Sequence, residues 1–433
     1  MIRRLAMAAM AVLLTGSASA AQETAPPTYI HAGRLLADPA TGRVSHEQTL
    51  VVREGRIVEI RDGFVGGAEA IDLSDRFVLP GLIDSHVHLC HENGPGDRLR
   101  RTVQTPADLA IDGARNARLT LQAGFTTVAD LGEENEAIFA LRDGIAEGKI
   151  PGPRILAAGH VISPHGGEGD LFGYRWDVIE TLQRPNLCSG ADDCRRVVRQ
   201  QVQRGADLIK VVATGAVLSD ADSGLDQQFT DAELAAIVET AHAHGRRVTA
   251  HAHGARGLNA FLRAGGDAIE HGTYLDAGSV ALFRQGGVYL VPTLLAGDTV
   301  TRWAADPQSH LGPASRAKAA AVGPQMIEAT RRAHAGGVLI AFGTDSSVSP
   351  HGENAREFAL LAEAGLTPLE AIRAATVNAA DHLGLAGRAG VLTPGAFADI
   401  IAVEGDPLTD LDALRSVAFV MKDGRTYRHE ERR

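Results

Sequence analysis

Hydrophobic and polar positions divide the chain into two textures. Near the start, "YIHAGRLL", "TLVVREGRIVEI" and "AEAIDLSDRFVLPG" alternate with the period of two that half-buried strands require, and Glu54-Gly55 marks a turn between two of them. The far end returns to this character in "ADIIAVEGDPL" and "SVAFVMKDGRTYR", with a second turn at Asp423-Gly424. From Gly81 to about Gly390, short apolar β-branched runs alternate with amphipathic helical stretches. Eight strands are predicted there, over Leu82–His88, Thr126–Asp130, Arg154–Gly159, Asp207–Ala213, Arg247–His251, Asp267–His271, Val288–Pro292 and Leu339–Asp345. The helices between them include "PADLAIDGARNARLTLQAG", "DAELAAIVETAHAHG" and "ARGLNAFLRAGG", each closing on a glycine suited to a helix C-terminus. Strand and helix repeated eight times predict an α/β fold, a (β/α)8 TIM barrel, with a doubly wound open sheet as the competitor.

The first residues break this pattern. "MIRRLAMAAMAVLLTGSASA" carries Arg3 and Arg4, an apolar run from Leu5 to Leu14, and a small-residue end at Ala18-Ser19-Ala20. These three regions in this order predict a signal peptide over residues 1–20, cleaved after Ala20, and a secreted or periplasmic protein. No later segment is long and apolar enough to hold the chain in a membrane. The sequence has 433 residues, 45% of them hydrophobic, so it has material for a large core. Its net charge of −11 comes from interspersed acids and bases, which leaves no basic footprint for nucleic acid.

Export changes the meaning of the cysteines. Cys188 and Cys194 flank the short loop "SGADD", and in an oxidising compartment they are expected to close a disulfide across it. Two free thiols are the alternative. Cys90, left over, is expected to be buried and reduced.

Polar residues then fall at the C-terminal ends of the predicted strands, where a barrel places its chemistry. His86 and His88 in "DSHVHL" are two apart and so share one face of the first strand. Lys210 stands within "ADLIKVVAT", His251 ends "VTAH", His271 ends "AIEH", and Asp345 ends "IAFGTD". Singly each has an ordinary structural explanation. Together, buried imidazoles, an amine and a carboxylate at one barrel mouth need a cation to account for them. Four imidazoles and a carboxylate suit a divalent transition metal, zinc by default. An ammonium at Lys210 would repel such a cation. Carboxylated by CO2, the same side chain becomes an anion whose two oxygens can bridge two metal ions.

This ordered set resembles the amidohydrolase superfamily over nearly the whole mature chain. The phrases "QAGFTTVADLG", "GADLIKVVATG", "AHAHGARGLNAFLRAGGDAIEHGTYLD" and "TPLEAIRAATVNAADHLGL" are most similar to its imidazolonepropionase-like and prolidase-like branch of secreted metal-dependent dipeptidases and carboxypeptidases. The resemblance implies a small composite β-sandwich built from residues 21–79 and 390–433, beside a barrel at 80–389. It implies that His86, His88, Lys210 and Asp345 bind one metal, and carboxylated Lys210, His251 and His271 a second. Lys210 sets the chain apart from the mononuclear imidazolonepropionases and from the deaminases. The implied enzyme is a hydrolase of the amide bond in dipeptides or N-acyl amino acids, using a hydroxide shared by two metals, with Asp345 as acid and base. Hydrolysis of a cyclic amide or lactone at the same centre is the alternative, and a non-catalytic binding protein a weaker one. A homo-oligomer is the implied assembly.

A substrate carboxylate would need a partner. His253, two residues beyond His251, is the first candidate, and His351 in "SPHGEN" is the second. His253 serving only to orient a ligand, or to cap the helix starting near Gly254, is an equal alternative. His165 in "SPHGGEGD" is expected on a loop near the opening, and His242 and His244 on an outer helix face.

Overall fold

Four strands open the structure, a computed structural model that describes residues 26–430 apart from 68, 184 and 219–223. The expected leader over residues 1–20 lies outside the described residues. The strands are β1 (Thr28–Leu35), β2 (Ser45–Arg53), β3 (Arg56–Asp62) and β4 (Ile71–Pro80). The last three strands of the chain are β15 (Ile400–Val403), β16 (Val417–Lys422) and β17 (Arg425–His429). Hydrogen bonding joins these seven in one sheet of order β17-β16-β15-β4-β1-β2-β3, so the two ends of the chain meet where β15 pairs antiparallel with β4. The pairing is thus a single composite sheet and does not by itself divide into the two layers of a sandwich. Ile30, Leu50, Val78, Ile400 and Phe419 fill its own core.

Between the ends lie β5 (Leu82–Val87), β6 (Phe125–Asp130), β7 (Arg154–Ala157), the short pair β8 (Ser163–Pro164) and β9 (Leu187–Cys188), then β10 (Ile209–Val212), β11 (Val248–Ala252), β12 (Ala268–His271), β13 (Tyr289–Val291) and β14 (Leu339–Ile340). Each of the eight expected strands overlaps one of these. All neighbours pair in parallel, in a three-stranded sheet β5-β6-β7 and a five-stranded sheet β10-β11-β12-β13-β14. Two seams without strand ladders separate these sheets. At one, Ile162 N donates to the Lys210 carbonyl (2.8 Å) and Val212 N to the Ile162 carbonyl (3.1 Å). At the other, Ser85 N donates to the Phe342 carbonyl (2.8 Å) and His88 N to the Ser346 carbonyl (2.9 Å).

The intervening helices form where their termini are satisfied. Thr105 with Asp108, Thr230 with Glu233 and Thr367 with Glu370 each make reciprocal capping boxes at helix N-termini. Gly205 takes up the left-handed conformation that ends the helix Ala191–Arg204. Cys188 at the end of β9 and Cys194 in that helix are disulfide-bonded, and Cys90 is a buried free thiol. No helix among the described residues is long and apolar enough to cross a membrane.

Candidate active site

The eighth strand is shorter than expected, and the reason lies at the site. After Ile340 the chain leaves the ladder and packs directly against β5. A Cβ at Gly343 would stand 2.3 Å from Val291 Cγ1 and 3.1 Å from His86 Cβ, so only glycine fits there. Asp345 then adopts a left-handed backbone (φ 57°) with its N–H donating to the His86 carbonyl at 2.8 Å. This bend turns the Asp345 carboxylate toward the two histidines of β5. His271 (φ 71°) and Thr293 (φ 51°) beside it are left-handed too.

His86, His88 and Asp345 each bring a donor atom within 4.8 Å of the others. His86 Nε2 and His88 Nε2 are 3.3 Å apart, and Asp345 Oδ1 lies 3.5 Å from the first and 3.2 Å from the second. Lys210 Nζ, buried in β10, is 3.4 Å from His86 Nε2. A second group joins His251, His253 and His271, again within 4.8 Å. The His251 and His271 rings are 4.6 Å apart, and the His86 and His271 rings 5.4 Å apart, which links the two groups. The six expected ligands therefore converge, and His253 stands among them.

The outer nitrogens of these rings are occupied. His86 Nδ1 donates to Glu270 Oε2 (2.8 Å) and His88 Nδ1 to the Gly132 carbonyl (3.0 Å). His271 Nδ1 lies 2.6 Å from Thr293 Oγ1, whose own proton goes to the Pro292 carbonyl, so the imidazole must be the donor. Each of these bonds leaves the Nε2 atom facing the centre. Burial pulls the His86, His251 and His271 imidazoles well below their ordinary value, so they are neutral donors at neutral pH. Burial also lowers the Lys210 ammonium, with Glu270 and Asp345 opposing. At His88 burial favours the neutral ring, but the Asp345 hydrogen bond and charge outweigh it and raise the ring to about 9. Burial would raise Asp345 itself; His86, His88 and Lys210 overcome this and hold its carboxyl at about 2.

This donor set fits divalent cations. Two imidazole Nε2 atoms 3.3 Å apart face one point beside a carboxylate, and a cation there would take the place of the proton that Asp345 holds on His88. Above the cluster opens a cavity of about 900 Å3, whose floor includes Lys210, His253 and His271 and whose wall includes Phe172, Tyr174 and Trp303.

The remaining expectations divide. His253 lines the cavity, with its Nδ1 2.7 Å from Thr273 Oγ1. His351 does not line it and is corrected as a cavity residue: it is buried, with Nε2 bonded to the His91 carbonyl at 3.1 Å. The loop after the eighth strand turns inward there. His165 is exposed and contacts Ser189 away from this cavity, and His242 and His244 are exposed. Residues not singled out from sequence are Glu270, Asp84 and Thr293. Glu270 had a signal, a charged residue within the otherwise apolar "AIEHG".

Residues 77–427 match the model of the amidohydrolase family. The chain belongs to the amidohydrolase family. It is a hydrolase acting on amide bonds. Among amidohydrolases, it is 33% identical to ochratoxinase of Aspergillus niger, in an alignment covering 94% of this chain and 88% of that protein. A solved Xaa-Pro dipeptidase with bound methionine superposes with a TM-score of 0.86 at 37% identity, covering 93% of this chain and all of that one. A prolidase complexed with N-methylphosphonate-L-proline superposes with a TM-score of 0.84 at 31% identity, over 94% of this chain and all of that one. Molinate hydrolase, at 20% identity, shares the fold with a TM-score of 0.75 over 93% of this chain and 95% of that one.

Proposed function

We propose that this amidohydrolase is a two-metal, carboxypeptidase- or prolidase-like enzyme that cleaves the amide bond of dipeptides or N-acyl amino acids. The observation that carries the reading is the convergence of His86, His88, Lys210, His251, His271 and Asp345 at the base of one cavity. In this reading the parallel strands form a closed (β/α)8 barrel, which the backbone hydrogen bonds across both seams support. The composite terminal sheet is its sandwich-like neighbour. His86, His88 and Asp345 would hold one cation and His251 and His271 the other, with Lys210, carboxylated by CO2, supplying an anionic ligand. Zinc is the default ion for these donors.

When bound, such cations would supply Lewis acidity that lowers the pKa of a water and polarises a carbonyl. Asp345, ionised at neutral pH, accepts the proton of the attacking water and passes it to the departing amine nitrogen as the C–N bond breaks. His253 meets the carboxylate of the leaving amino acid through the ring nitrogen not engaged by Thr273. Phe172, Tyr174 and Trp303 shield the reacting bond from bulk water and contact the apolar part of the substrate. The ligands named for the two structural neighbours, methionine and an N-phosphonyl proline, are of this amino-acid class. The enzyme is exported after removal of residues 1–20 and assembles as a homo-oligomer.

Purified protein, metallated with zinc, should hydrolyse Xaa-Xaa dipeptides or N-acyl amino acids varied at the C-terminal position. Turnover confined to hydantoins or lactones would overturn the substrate class and leave the metal centre in place.

A further inference from the structure

One turn of chain, remote in sequence from most of the ligands, touches the supports of both halves of the centre. The 3-10 turn Asn354–Arg356 runs directly into the helix Glu357–Glu363, and Asn354 and Glu357 are both fully buried. Neither contacts a metal-ligand side chain.

Asn354 acts through Asp84. Its Nδ2 donates to Asp84 Oδ2 at 2.8 Å, and its Oδ1 accepts from Gly352 N at 3.2 Å, so the orientation of the amide is set. Asp84 in turn accepts from the backbone N–H of His86 (3.1 Å), and from the backbone N–H (3.1 Å) and hydroxyl (2.7 Å) of Thr344. Those two residues are a ligand of the first metal and the immediate neighbour of another, Asp345. Glu357 acts through Thr293. Its two oxygens accept the N–H groups of Leu294 (2.9 Å) and Leu295 (2.6 Å), the first residues of the helix Leu294–Ala305. That grip fixes the left-handed Thr293, whose Oγ1 receives the Nδ1–H of His271 at 2.6 Å.

We infer that Asn354 and Glu357 are positioning residues, the first holding His86 and Asp345 for one cation and the second holding His271 for the other. The inference rests on the two-metal reading. Spaced three apart on one turn, they clamp the ends of β5, the chain after β14 and the chain after β13 against a common support. A buried hydrogen-bond partner that orients a ligand changes metal affinity by roughly 10- to 100-fold when lost.

The test is zinc retention by the loaded full-length protein against a chelator of known affinity, with zinc counted per chain and folding followed by circular dichroism. Wild type should hold two equivalents. At a chelator concentration where it keeps both, Asn354→Ala and Glu357→Gln should each lose one, with affinity reduced about tenfold or more. The double variant should lose both, because the two supports act separately. Should either variant not fold, Asn354→Ser and Glu357→Asp make the same test with less disruption. Glu353→Gln, exposed on the same turn, should behave as wild type. Two equivalents held at wild-type affinity by both single variants would overturn the inference, as would loss of both equivalents from one single variant or equal loss from Glu353→Gln. Wild-type protein holding fewer than two would overturn the two-metal reading and the inference with it.

Discussion

Glu270 Oε2 lies 2.8 Å from His86 Nδ1, deep between β12 and β5 and shielded from solvent. Its other oxygen accepts the Thr249 hydroxyl, so both acceptor atoms are used. The bond dictates the tautomer of His86 and makes its Nε2 more basic toward a metal. Glu270→Gln preserves the shape and removes the charge. It should weaken zinc binding by roughly 10- to 100-fold while leaving the fold intact, as read by chelator competition and circular dichroism. Unchanged zinc affinity would deny Glu270 this role.

Asp345 is the group proposed to move the proton. Asp345→Asn keeps an oxygen donor for the metal but has no carboxylate to protonate. Turnover should fall by at least about 100-fold, the lower range of general acid-base catalysis, with zinc content largely retained. Steady-state kinetics beside elemental analysis of the same preparation measures both. Near-normal kcat would remove Asp345 from the proton path.

Glu357 titrates within a physiological range. Burial pushes its carboxyl up from 4.5 to about 8, the N–H groups of Leu294 and Leu295 opposing and the charges of Asp84 and Asp298 adding. Its proton is therefore held more tightly in the folded than in the unfolded chain. The stability it contributes is complete below about pH 4.5 and is lost as pH rises through about 8. In chelator-treated protein, the excess stability of wild type over Glu357→Gln should shrink steadily as pH rises from 5 to about 8. Urea midpoints across this range measure it. A constant or growing difference would contradict the buried, protonated carboxyl.

Much of this site was legible in the sequence, for a physical reason. Strand-end residues in a parallel α/β fold project to a common face, so "HVH", Lys210, His251, His271 and Asp345 point to one place once the alternation of strands and helices is read. Glu270 was legible in principle as a charge inside an apolar strand. Asp84, Asn354 and Glu357 were not, because their roles depend on contacts across 260 or more positions, or on backbone N–H groups that carry no sequence mark. His351 misled because a polar loop sequence does not record that its chain turns inward. The two-layer sandwich likewise rested on resemblance, and strand alternation alone does not say how seven strands divide.

Lys210 links the two halves of the account. Its burial favours the neutral amine, the form that reacts with CO2. Wild-type protein loaded with zinc in 13C-bicarbonate should show a carbamate carbon resonance that is absent from Lys210→Ala. Lys210→Ala should also lose at least one equivalent of zinc. A spectrum without the carbamate signal in active, fully metallated protein would leave Lys210 as an ordinary buried amine.

The most direct measurement is anomalous scattering from crystals of the zinc-loaded protein. Two zinc peaks should appear at the cavity floor, one against His86, His88 and Asp345 and one against His251 and His271, with density extending from Lys210 Nζ toward both. A single peak, or none at zinc saturation, would contradict the central claim.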